Sequence, residues 1–243
     1  MEKINNNHGF TLIELSIVIV VIGLIVAAIS AGSSLVRQAK LQSIASESSY
    51  FKTAFYNFRS EYRALPGDFN KASSFWSGET NGDGDNKIET GSNLVAPIED
   101  ILFWKHLSLA GLIRGGYTGS IAGTERFEIG TNCPASKLSG GSYQPFYASS
   151  AHYGKTGNNI SFASLTGNTS KNLNGQIVSA REARSIDIKI DDGEADKGNV
   201  YTLSSAQYDA TNSVCTDAEW TSASGSYVLT DDTIGCRMIF WLD

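Results

Sequence analysis

The sequence predicts an α+β protein, with one long N-terminal helix followed by a globular domain of short strands and loops. Three observations carry that reading. Apolar residues run almost unbroken from Phe10 to Ile29, and no proline interrupts the chain between Phe10 and Pro66. Residues 116–180 are rich in Gly, Ser and Asn with short apolar clusters between them, the punctuation of strands joined by turns.

The helix begins as a membrane span. From Leu15 to Ile29 only Ser16 and Gly23 are not strongly apolar. With Phe10 to Ile13 the run reaches about 20 residues, the length that crosses the hydrocarbon core of a bilayer. Glu14 lies inside it, where an unpaired carboxylate costs a few kcal/mol or more and is expected to be neutralised, paired or functional. An ordinary secretory signal fits less well, because Lys3, offset by Glu2, is the only basic side chain before the apolar run besides His8. A plain signal anchor gains nothing from the positive-inside rule, since Arg37 and Lys40 follow the span and outnumber Lys3. A buried helix of a soluble protein would not be apolar all round over this length.

Gly9, Phe10, Thr11, Leu12, Ile13, Glu14 and Leu15, followed by the apolar run, resemble the N-terminal cleavage and methylation motif of type IV pilins and type II secretion pseudopilins. The resemblance covers about the first sixty residues. It implies a leader over residues 1–9, cleavage between Gly9 and Phe10 by a prepilin peptidase, and N-methylation of Phe10. It also implies a single-pass subunit of the bacterial inner membrane, transmembrane over 10–30 and amphipathic over 31–65. Residues 66–243 would form an exported domain, with an antiparallel sheet against the helix. The expected partners are other pilin or pseudopilin subunits and an inner-membrane assembly platform. In this family the glutamate corresponding to Glu14 is read as the partner of a neighbouring subunit's N-terminal amine. The physics agrees, because a newly freed Phe10 amine and a carboxylate attract strongly in a low-dielectric setting.

Beyond the span, Leu41, Ile44, Phe51, Phe55, Phe58 and Tyr62 recur in helical steps of three and four, with Ser48 in the vacant position. This stripe should face a core, and Pro66 with Gly67 should stop the helix after about 55 residues, roughly 80 Å. The next stretch alternates oxygen-bearing side chains at Asn81, Asp83 and Asp85, with Ile88 following, in the manner of the start of an EF-hand loop. Asn86 stands where such a loop wants glycine and Ser92 where it wants a bidentate glutamate, so Glu89 would have to close a calcium site. A solvated acidic turn reads the same residues without a cation.

Pro97, Glu99 and Asp100 open a helix that Gly111 stops, its content set by Ile98, Ile101, Leu102, Trp104, Leu107 and Leu109. His106 within it reads as a core or surface histidine, and His152 has no evident partner. Ala183, Ile186 and Ile190 fit a helix face while Ile186, Ile188 and Ile190 fit a strand, so periodicity leaves that element open. Asp187, Asp191, Asp192, Glu194 and Asp196 then form an acidic turn, solvated or cation-binding. Ile186 to Val200, and Leu65 to Phe69, also resemble segments of larger pilin-like proteins. Tyr227 to Leu229 and Arg237 to Leu242 read as closing strands.

Cys133, Cys215 and Cys236 form no CxxC pair, which removes zinc and thioredoxin-type chemistry. A Cys215–Cys236 disulfide closes a polar C-terminal loop and is worth roughly 3 kcal/mol in an oxidising compartment; three buried thiols are the alternative. The formal charge of −6 without a Lys/Arg cluster argues against nucleic acid. With 18% charged residues and three scattered histidines, the composition suits an exported protein and offers no nucleophile elbow, P-loop or dinucleotide fingerprint. The function expected is a structural subunit, minor or specialised, of a type IV pilus or secretion pseudopilus. A membrane-anchored, calcium-dependent binding or adhesion module is the alternative.

Overall fold

The computed structural model describes residues 10–90, 98–121, 126–152, 154–166, 172–204, 214–217 and 225–242. Residues 1–9, including Gly9, and Pro97 lie outside this set, as does the side chain of His152. Contacts divide the chain into a first unit that ends at Lys40 and a second from Leu41 to Asp243.

Helix α1 spans Leu12–Tyr62, 51 residues. In the first unit it exposes its apolar side chains on every face: Leu12 at 87%, Ile22 at 55% and Ile29 at 66% are representative. So much bare apolar surface is not stable in water and calls for lipid or neighbouring helices. Ser16 and Ser33 turn their hydroxyls back on the helix, donating to the carbonyls of Ile13 and Ser30 at 2.8 Å, the local pairing that suits a chain in hydrocarbon.

Within the second unit the same helix buries Leu41, Ile44, Ser48, Phe51, Ala54, Phe55 and Phe58. The stripe read from spacing is the core face, and Ser48 fills its gap by donating to the carbonyl of Ala45. Phe51 meets Trp104 and Tyr143 edge-on at 4.9 Å, and each such buried ring contributes about 1.5–3 kcal/mol by leaving water. Glu47 fastens the helix sideways, accepting from the hydroxyls of Ser136 (2.7 Å) and Tyr143 (2.6 Å) and from the Lys137 N–H (3.0 Å). The helix stops at Tyr62, earlier than Pro66 suggested, because Arg63 turns into the left-handed region at φ 55°.

Two further helices, α2 (Ala72–Phe75) and α3 (Glu99–Leu109), follow, and α4 (Ala180–Ile190) comes after four strands. The strands are β1 (Gly141–His152), β2 (Lys155–Thr166), β3 (Asn172–Gly175), β4 (Val178–Ser179), β5 (Val200–Ser204) and β6 (Ile234–Trp241). They form one antiparallel sheet in the order β1-β2-β6-β4, with β3 beside β2 and β5 beside β6. The α+β arrangement of a long helix and an antiparallel sheet is therefore present. Residues 157–163 of central strand β2 are all buried, so both sheet faces are covered there. One face joins the main core through Phe162, Met238 and Phe240, and the other carries Ala148, Tyr201, Leu203, Ile239 and Trp241.

Three local expectations change. The glycine-rich stretch holds two strands of 12 residues each, β1 and β2, where short ones were expected. Tyr227–Leu229 is not a strand among the described residues: Tyr227 makes an isolated antiparallel bridge to Thr216, with the Asp217 N–H donating to the Ser226 carbonyl and the Val228 N–H to that of Cys215. Residues 180–190 resolve as helix because Ser179 caps it, its side chain accepting from the Glu182 N–H while the Glu182 carboxylate accepts from the Ser179 N–H. Cys215 and Cys236 are joined by a disulfide, and Cys133 is a buried free thiol.

Candidate functional site

At the head of α1, Phe10 is 89% exposed and precedes the helix. Thr11 and Glu14 bind each other reciprocally. The Thr11 N–H and hydroxyl donate to Glu14 Oε2 at 2.8 and 2.9 Å, and the Glu14 N–H donates to Thr11 Oγ1 at 3.3 Å. Thr11-Leu12-Ile13-Glu14 is thus a capping box, satisfying N–H groups that would otherwise be orphaned at the start of a helix. Glu14 in a single chain already has partners, all from its own helix end. The T-x-x-E spacing was visible in the sequence, and reading Glu14 through assembly alone passes over Thr11.

In the second unit the acidic stretch after α2 folds around two carboxylates that spacing did not single out, Asp68 and Glu99. Asp68 accepts from the N–H groups of Gly84 (2.5 Å) and Asn86 (2.9 Å), and Glu99 from those of Asp83 and Glu89 (both 3.1 Å). Burial raises Asp68 to about 6 and Glu99 to about 7 against the pull of these N–H donors. The structure groups Asp83 and Asp85 with Asp68, and Asp83 and Glu89 with Glu99, each group offering oxygens within 4.8 Å of one another. Asn81 turns elsewhere, its Oδ1 accepting from the Ser73 N–H in α2. Asp83 and Asp85 each accept from the N–H two residues on, at 3.1 and 2.8 Å, and Asp85 pairs with Lys87 at 2.6 Å. Gly67 lets this knot close: it sits at φ 88°, and a Cβ there would collide with the Glu99 carbonyl.

A family profile described as the prokaryotic N-terminal methylation motif matches residues 4–30. The chain carries the type IV pilin and pseudopilin signature. Neither a curated protein nor a solved structure matches the chain. The signature supports a pilin-like subunit that is processed by a prepilin peptidase and assembles with other pilin-type subunits. Helix α1, long and apolar enough to cross a membrane, is consistent with anchoring in the inner membrane.

The remaining single residues of this pilin-like chain belong to its core. His106 is fully buried, accepting from the Gly67 N–H at Nδ1 (2.9 Å) and facing the Thr80 carbonyl with Nε2 (3.3 Å). Those partners fix the neutral tautomer with its proton on Nε2, and burial lowers the ring's pKa to about 4. Burial pushes the Cys133 thiol up to about 12, which leaves it unreactive. Asp100, in the first turn of α3 as expected, is buried and paired with Arg126 at 2.7 Å.

Proposed function

We propose that the chain is a structural subunit, of the minor or specialised kind, of a type IV pilus or type II secretion pseudopilus. It inserts in the inner membrane, is cut between Gly9 and Phe10 and methylated on Phe10, and enters a filament through α1 with its second unit exported. The observation that carries this reading is a carboxylate, Glu14, at the head of a helix long and apolar enough to cross a membrane, whose apolar side chains up to Lys40 are all exposed.

In a lone subunit Glu14 is held by Thr11. In a filament the amine of a neighbouring Phe10 is a charged donor that outcompetes those neutral ones, and pairing relieves two desolvated charges at once. Glu14 then guides register between subunits more than it stabilises any single chain. Glu14→Ala makes the span more apolar and leaves Gly9 untouched, so insertion and cleavage persist. Recovery in sheared filaments should fall about tenfold or more, as expected for losing ~1.4 kcal/mol or more of pairing. Incorporation equal to wild type overturns the pairing mechanism. A wild-type chain that is trimmed yet never leaves the membrane favours the calcium-dependent membrane-tethered module instead.

A further inference from the structure

Helix α4 buries Ala180, Ala183, Ile186 and Asp187, and its outer face carries Arg181, Arg184, Ser185 and Ile188 at helical steps of three and four, with Lys189 one position on. These five exposed side chains and Leu229 line a groove of about 450 Å³. No carboxylate lines it, in a chain whose formal charge is −6. The arrangement does not serve the helix itself. Arg181 stands near the start of α4, where the dipole disfavours a cation, and Arg181 and Arg184 are like charges three residues apart.

Arg181 builds the groove wall. Its Nε donates to the Leu229 carbonyl at 2.9 Å and pairs with Asp232 at 3.2 Å. The segment that carries Leu229 is tied down in turn, because the Val228 N–H donates to the carbonyl of disulfide-bonded Cys215 at 2.9 Å. A wall fixed in this way before a partner arrives lowers the ordering cost of binding. Arg184 and Lys189 differ from Arg181: both are exposed, and among the described residues neither makes an ion pair. Apolar surface gathers at the same place. Among the described residues of the second unit, the exposed large aliphatic side chains are Ile188 (54%), Leu229 (37%) and Ile234 (44%). The first two line the groove, and Ile234 lies opposite Ser179, the N-cap of α4. Single exposed aliphatics need no explanation, whereas a group of them rimmed by polar side chains marks an interaction surface.

We propose that this groove docks an acidic segment of another protein, whose carboxylates meet Arg184 and Lys189 while an aliphatic side chain packs on Ile188 and Leu229. Charge complementarity sets the sign of the partner, and the planar guanidinium of Arg184 suits a carboxylate that can take two parallel N–H donors. The aliphatic lining favours a peptide over nucleic acid, whose phosphates call for a larger cluster of cations than the two left unpaired here. This assignment concerns the second unit alone and does not depend on how α1 assembles.

The test is fluorescence anisotropy of a labelled hexapeptide of alternating glutamate and leucine, titrated with the full chain in detergent. Wild type should bind it with an affinity that falls as salt rises, and should not bind the analogue with glutamine in place of glutamate. Arg184→Gln combined with Lys189→Gln should weaken binding about tenfold or more, and Ile188→Ser alone about threefold. All three positions are exposed, so the variants should melt with the wild type. Absence of binding in wild type, equal binding of the glutamine analogue, or full affinity in the Arg184/Lys189 variant overturns the proposal. A single-stranded DNA oligonucleotide that displaces the peptide would assign the groove to nucleic acid, and self-association of the chain that the same variant abolishes would assign it to a second copy; either result also overturns it.

Discussion

His106 shows how one buried side chain sets the acid response of the second unit. The unfolded chain takes up its proton near the ordinary value of about 6.5, while the folded chain resists until about pH 4. The stability that His106 contributes as a neutral ring is therefore fully present above about pH 6.5 and is lost as pH falls toward 4. Asp68, Glu99 and Asp100, raised by burial to about 6, 7 and 6, act with the opposite sign, adding stability as pH falls through the same window. A single variant separates the two. His106→Asn keeps a short polar side chain and removes the titration, and it should remove about 2 kcal/mol of acid destabilisation between pH 7 and pH 5. Thermal unfolding across that range checks it, and parallel curves for variant and wild type would refute the account. His106 reads from sequence as a core or surface residue because a lone histidine amid Ile101, Leu102, Trp104 and Leu107 has no nearby ligand set. The carboxylates that organise residues 81–89 were not legible in the same way. Asp68 and Glu99 act through backbone N–H groups brought in by the fold, and spacing along a chain encodes no such donors.

Elements were legible where periodicity was long and local chemistry agreed with it. The stripe from Leu41 to Phe58 is the buried face of α1, because sidedness sustained over many turns allows only one orientation toward a core. Element α4 is short, and Ile186, Ile188 and Ile190 satisfy either period. What decides it is Ser179 with Glu182, a capping box that favours the helical start over a strand. Ser179→Ala should cost about 1 kcal/mol, lowering the melting temperature by roughly 2–4 °C for a domain of this size. An unchanged melting temperature would mean that tertiary packing of Ala180, Ala183 and Ile186, all buried, holds α4 without its cap. The glycine-rich stretch hid two strands of 12 residues, since glycine and serine at turn-like positions such as Gly141 and Gly157 sit inside ladders here. Gly141 is needed there because a Cβ would strike the Phe162 ring.

At the scale of the whole molecule, two different solvents are written into one chain. Residues of the first unit expose Ile, Val and Leu on all sides, whereas the second buries Trp104, Trp241, Tyr143 and a set of phenylalanines in water-soluble fashion. That division was readable at the start of the sequence, because a membrane-length apolar run with one carboxylate is rare outside a functional context. The closing sheet order was not, since β6 pairs with β2, β4 and β5 across long separations that no local pattern specifies. The central claim is that this N-terminus is a processed assembly helix and not a passive anchor. It is tested most directly by mass spectrometry of the N-terminal peptide from cells that contain a prepilin peptidase. The account predicts a chain that begins at Phe10 and carries one methyl group on its amine; a chain that retains Met1 through Gly9, or one cut downstream near Ala31, would contradict it.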